Sequence, residues 1–247
     1  MAPARVTALL ERGRQWGRRW ARGWQGHRPL LLAECVPGGT STALGVLVGL
    51  GVAATGLVSG SLPTPAHGLK AELVARGLAA ARLGPATAAG GAGDSAPLAV
   101  LAAVGDPMQA LAAGLVLEAG VRGVPLLLAG GSQMAAVLAL ALALASPFER
   151  PRIAAAASVA TTAWVAEEAG SDLALLLQRI GHRWGVSPRL EVAALRFHRC
   201  RSEPLRDYER GFVKEGVGAG GLALLWQRLG RDPQDLALLC DRLCGQL

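Results

Sequence analysis

Short apolar runs alternate along the chain with segments of helical spacing, and glycine-rich or polar turns separate them. Pro29–Ala33 is an apolar run that stops at Glu34 and reads as a strand; a glycine-rich turn over 36–42 and a helix over Ala43–Gly51 follow. Leu69–Leu83 has helical spacing, and the Gly/Ala/Ser-rich stretch Ala86–Pro97 reads as a flexible loop. Leu98–Val104 is wholly apolar and is predicted as a strand, followed by the turn Gly105-Asp106-Pro107 and a helix over Met108–Ala119. Val124–Ala129, Gly130-Gly131-Ser132 and Gln133–Ala145 repeat this sequence of strand, turn and helix. Ile153–Ala157 is a weaker strand, Leu173–Arg183 a helix and Leu190–Phe197 a last strand. Helices over Leu222–Leu229 and Gln234–Leu243 close the chain.

Strands that are apolar throughout, alternating with helices, belong to a parallel sheet covered on both faces. The expected fold is therefore α/β: three layers, a doubly wound and mainly parallel sheet, Rossmann-like, with helices on both faces. Right-handed crossovers place every strand-to-helix turn at the carboxyl edge of such a sheet. Ligands bind there, at the point where the strand order reverses. Glu34–Thr42, Gly105–Gln109 and Gly130–Gln133 all follow predicted strands, so the pattern locates a site before it identifies a ligand.

Composition narrows the class. Of 247 residues, 51% are hydrophobic and 17% charged, which excludes a disordered chain. The net charge of +7 is concentrated: residues 1–28 hold seven arginines against Glu11 alone, so the remaining body is close to neutral. We divide the chain into a basic Arg/Trp-rich arm, 1–28, and a single α/β domain, 29–247. In the arm, Trp16, Trp20 and Trp24 share one helical face. That face suits nucleic acid or an anionic membrane surface. We favour instead a helix that docks its tryptophans on its own domain or on a partner subunit, because the body offers no second basic patch. The apolar stretches Ala43–Val58 and Met134–Ala145 are too short to cross a bilayer. No secretory leader is recognised, and a cytoplasmic location is expected. Cys35, Cys200, Cys240 and Cys244 lack zinc spacing, so neither a metal nor a cofactor is expected.

Two turns carry candidate chemistry. Gly38-Gly39-Thr40-Ser41-Thr42 at a helix start combines backbone N–H groups, hydroxyls and a positive dipole end. This suits a phosphate; ordinary N-capping is the competing explanation. Gly216, Gly218 and Gly221 satisfy G-x-G-x-x-G, but Lys214 and Glu215 precede them where a dinucleotide fingerprint needs an apolar strand. What remains is a carboxylate and an ammonium at the mouth of a glycine-rich helix start.

The segments AECVPGGTSTALGVLVGLG (33–51), AVGDPMQALAAGLVLEA (103–119), GVPLLLAGGSQMAAVLALA (123–141) and YERGFVKEGVGAGG (208–221) occur in this order. Together they resemble the nicotinate-nucleotide:dimethylbenzimidazole phosphoribosyltransferase family of cobalamin biosynthesis, and most closely its less characterised branch. The resemblance implies a pentosyltransferase that moves the phosphoribosyl group of nicotinate mononucleotide to a benzimidazole-type base, releasing nicotinate. It implies Glu215 as general base, in the position of the family's E-G-x-G-A motif, and Glu34 as a second carboxylate. Gly38, Gly39, Thr40, Ser41 and Thr42 would hold the phosphate. Asp106 and Gln133 would contact the ribose or a carboxylate, and Lys214, Gly216 and Gly218 would join them in binding the phosphate and ribose. The expected partners are these small molecules and a second copy of the chain in a homodimer; nucleic acid is not expected. The family usually carries a sizeable segment before the first motif, where part of the acceptor pocket lies, and here only the arm precedes it. Gly39 and Ala129 stand where better known members have an asparagine and an aspartate. The alternative is therefore a non-catalytic nucleotide-binding remnant or subunit.

Overall fold

A computed structural model describes residues 1–24, 26, 28–83 and 95–246. The sheet has four strands, β1 (Leu30–Ala33), β2 (Leu126–Ala129), β3 (Ala157–Thr162) and β4 (Arg189–Ala193), all parallel. They lie side by side in chain order, with Leu30 opposite Leu126 and Leu126 opposite Ala157. The strand order therefore does not reverse within this sheet, unlike the expected doubly wound arrangement. What holds is the coarser class: an α/β protein with a parallel sheet between helices.

The crossovers fill one face of the sheet. They comprise α2 (Gly39–Gly49), α3 (His67–Ala80), α4 (Ser95–Val104), α5 (Pro107–Val121), α6 (Ser132–Leu144), α7 (Arg150–Ala156) and α9 (Leu173–Trp184), while the short α8 (Ala163–Ala166) gives Val165 to this layer and Trp164 to the opposite one. Leu126, Leu128 and Val159 point into this layer and join Leu47, Val116, Leu138 and Ile180 in the larger core. The other face carries α11 (Ala219–Arg228) and α12 (Pro233–Cys244), whose Ala223, Leu224 and Ala237 cover Leu127 and Ala160. Trp164, Phe197 and Tyr208 cluster there with ring centroids 5.0–5.4 Å apart, Trp164 stacked on Phe197 and the tyrosine, from α10 (Glu203–Glu209), tilted against both.

Two predicted strands are corrected. Residues 98–104 lie in α4, because an unbroken apolar run suits a buried helix as well as a buried strand. Its alanines and leucines also favour helix over the β-branched composition of a strand. Residues 153–156 end α7, and β3 begins only at Ala157, with the small sequence ASVATT. The predicted loop Ala86–Pro97 lies outside the described residues up to position 94, and α4 begins at Ser95.

The arm is a helix, α1 (Pro3–Gly23), laid against α5. The docked face is not the tryptophan face. Val6, Leu10, Gly13 and Gly17 are buried, whereas Trp16 and Trp20 are 45% and 52% exposed; only Trp24 packs against the core. Gly13 and Gly17, four apart, let the two backbones touch, since a Cβ on Gly13 would stand 1.9 Å from the Leu111 carbonyl oxygen. Small residues at this spacing permit closer approach than any larger side chain. Among the described residues, no helix is long and apolar enough to cross a membrane.

Candidate functional site

Because all four strands run in one direction, the residues following β1, β2 and β3 meet at the carboxyl edge of the sheet. Glu34 follows β1, Gly131, Ser132 and Gln133 follow β2, and Thr161 and Thr162 end β3. The segment 213–218 crosses this edge: Val213 N–H donates to Ser61 O and Val217 N–H to Glu34 O, both at 3.1 Å. Val213 and Val217 have φ of 46° and 45°, in the left-handed region that β-branched residues avoid. Backbone held in this way costs on the order of 1–3 kcal/mol per residue and concentrates at functional sites.

This edge encloses a crevice of about 70 Å³ lined by Glu34, Thr40, Ser59–Ser61, Gly131–Gln133, Val165, Lys214 and Glu215. The glutamate beside Gly216 and the first turn of α2 thus share one crevice, as the motifs imply. The Glu215 carboxylate accepts from four donors: Thr162 N–H (3.0 Å) and Thr161 Oγ1 on one oxygen, Gly216 and Gly220 N–H on the other, all three at 3.2 Å. Burial pushes its carboxyl above the ordinary carboxylate range, against the pull of those donors. Glu34 accepts from Val36 N–H (2.9 Å) and Gln133 Nε2 (2.7 Å), and burial raises its pKa too, with the Asp106 charge adding to the rise.

The glycines of this region serve packing more than ligand approach. A Cβ on Gly221 would lie 2.4 Å from Ala129 Cβ, and one on Gly220 2.2 Å from the Thr161 carbonyl carbon. Gly218 has φ 78° and sits over Ala33 and Ala129. The first turn of α11 is thereby pressed onto the ends of β1, β2 and β3, which brings the Gly220 amide to Glu215. Gly216 alone has open space above it. Gly39 differs, since its Cβ would stand 1.7 Å from Gln133 Oε1, the movable end of a side chain. Gly38 (φ 72°), Gly39 and Ser41 form the first turn of α2 beside Thr40.

Three predicted binding residues have other work. Asp106 caps α5 through a capping box with Gln109, accepting from Gln109 N–H at 2.9 Å. The Thr42 hydroxyl donates to Asp106 at 2.6 Å, tying α2 to α5. Lys214 borders the crevice, but its ammonium donates to Leu62 O (2.6 Å) and Gly211 O (2.8 Å) and pairs with Glu168 at 3.0 Å. Both partners of that pair are buried, with side chains 3% and 4% exposed. The same Glu168 accepts from Ser59 and Ser171, and Lys70 donates to Ser59 O at 2.6 Å. Sequence reasoning missed Lys70, Ser59 and Glu168, which only the folded chain brings together. Thr161 and Thr162 would have been found had β3 been placed at its true end.

The site is thus a carboxylate-lined crevice at the carboxyl edge of a parallel α/β sheet. No protein-family model matches the chain. It is similar to a UPF0284 protein of Parasynechococcus marenigrum, 49% identical over 252 residues, covering 100% of this chain and 60% of the relative. A UPF0284 protein of Prochlorococcus marinus is 46% identical over 253 residues, with 100% and 59% covered. That of Gloeobacter violaceus is 46% identical over 241 residues, with 98% and 60% covered. The chain spans about three fifths of the length of these relatives.

Proposed function

We propose that the chain belongs to a Rossmann-like phosphoribosyltransferase that moves the phosphoribosyl group of nicotinate mononucleotide to a benzimidazole-type base. The observation that carries this reading is Glu215: a carboxylate in a narrow crevice, its pKa raised by burial, sharing that crevice with a second acid and a helix N-terminus. As the C1′–N bond to the new base forms, that base must lose its ring N–H proton, and a carboxylate poised nearer neutrality is the suitable acceptor. The bond from C1′ to the nicotinate nitrogen breaks, and its electron pair leaves with nicotinate. Positive charge develops on the ribose in between, which Glu34 stabilises electrostatically. The N-terminus of α2 at Gly39 and Thr40 receives the phosphate.

A second reading, a nucleotide-binding part without turnover of its own whose site a further polypeptide completes, is favoured by the size of the crevice. About 70 Å³ holds a few waters, whereas sites for whole small ligands occupy about 300–1,000 Å³. A nucleotide enters only if the strained 213–218 segment and the 59–61 segment part, or if a further polypeptide completes the wall. Incubation with nicotinate mononucleotide and 5,6-dimethylbenzimidazole, followed by mass spectrometry, separates the readings. Nicotinate and the ribosylated base are expected. Saturable nucleotide binding without product supports the second reading, and absence of both overturns the two together.

A further inference from the structure

We propose that the outer face of α1 is a docking surface for an anionic phospholipid membrane. The apolar stripe of α1 is already satisfied by α5, and two of its arginines are ion-paired: Arg18 with Glu11 and Glu118, and Arg14 with Glu118. Arg5, Arg12, Arg19 and Arg22 are exposed and have no acidic partner among the described residues. Arg5, Arg12, Trp16 and Arg19 follow i, i+7, i+11, i+14 spacing, so they share one face; Trp20 lies one turn beyond Trp16 and Arg22 borders the row. From Arg5 to Arg22 this ridge is about 26 Å long. Two half-exposed indoles stand among four guanidinium groups without acidic partners, outside the buried stripe of Val6, Leu10, Gly13 and Gly17. They match an anionic bilayer surface, where arginines meet lipid phosphates and tryptophans settle at headgroup depth. Single-stranded nucleic acid uses similar residues but along a groove that tracks its backbone. A lone helix on the outside of α5 is a convex ridge, which fits a plane.

The test uses the full chain in co-sedimentation with vesicles of phosphatidylcholine alone or mixed with phosphatidylglycerol, with tryptophan fluorescence recorded in parallel. Expected are pelleting with the anionic vesicles only, a blue-shifted emission, and release by added salt. Each arginine reversed in the Arg12→Glu/Arg19→Glu variant should weaken partitioning at least about fivefold. Trp16→Ala/Trp20→Ala should abolish the spectral shift while leaving the circular dichroism of the fold unchanged. The proposal is overturned by equal pelleting of variant and parent. It is likewise overturned by no pelleting at all, or by binding to an oligothymidylate under conditions where vesicles are ignored.

Discussion

Glu167 and Glu168 are adjacent glutamates, each paired with a cation, and the same substitution at the two should have opposite weight. Glu167 meets Arg196 at the surface, with its side chain 63% exposed, and Glu167→Gln should cost about 0–1 kcal/mol. Glu168→Gln removes the only acid paired with Lys214 among the described residues and leaves that ammonium buried beside Lys70. Breaking a buried pair from one side costs about 3–5 kcal/mol, a large part of the ~5–15 kcal/mol that holds a domain folded. The contrast also has a pH signature. Burial holds the Lys70 ammonium below the ordinary lysine range; Glu168 pulls it back up and Lys214 pushes it further down. A folded-state lysine pKa below the unfolded one makes stability rise with pH between the two values. Without Glu168 the folded value drops further, so the deficit of Glu168→Gln should shrink as pH rises from neutrality toward about 10.4, the ordinary lysine value. Urea unfolding of both variants and the parent, at neutral and alkaline pH, reads both effects. Equal losses at 167 and 168, or a deficit at 168 that ignores pH, would refute the buried-pair reasoning.

Other outcomes follow from the same geometry. Gly13→Ala raises helix propensity by about 1 kcal/mol, yet its Cβ meets the Leu111 carbonyl at an overpacking cost of about 1–3 kcal/mol, so thermal unfolding should show a net loss of up to about 2 kcal/mol. Gly39→Ala should cost only about 1 kcal/mol, because the Gln133 side chain can swing away; it should weaken nucleotide binding by calorimetry, since the bond from Gln133 to Glu34 is lost. For turnover, the acid limb of the kcat/KM profile should lie above about 4.3, the ordinary glutamate value, with rate increasing as Glu215 loses its proton. Thr161→Val deletes one donor to the Glu215 carboxylate and should move that limb to higher pH.

Much of the architecture is readable where local chemistry is decisive. Asp106, Pro107 and Gln109 announce the start of α5, and the apolar run before Gly130 announces β2. Local chemistry fails where it is ambiguous: ASVATT carries little strand signal, and the run 98–104 has no period to separate helix from strand. The shared crevice of Glu34, Thr40, Gln133 and Glu215 follows from parallel strands ending at one edge. Lys214 illustrates the limit. In sequence it is a cation beside a candidate base, but its partner Glu168 is a long-range neighbour that no spacing reveals. Trp16 and Trp20 show the converse, since aromatic periodicity suggests burial while the close-packed Gly13 and Gly17 take the docked face.

The most direct measurement compares product formation by the parent chain and by Glu215→Gln under saturating nicotinate mononucleotide and dimethylbenzimidazole, with nucleotide binding followed in parallel. General-base catalysis by Glu215 requires retained binding and a rate lower by about 10²–10⁴-fold. A variant that forms product at the parent rate would contradict it.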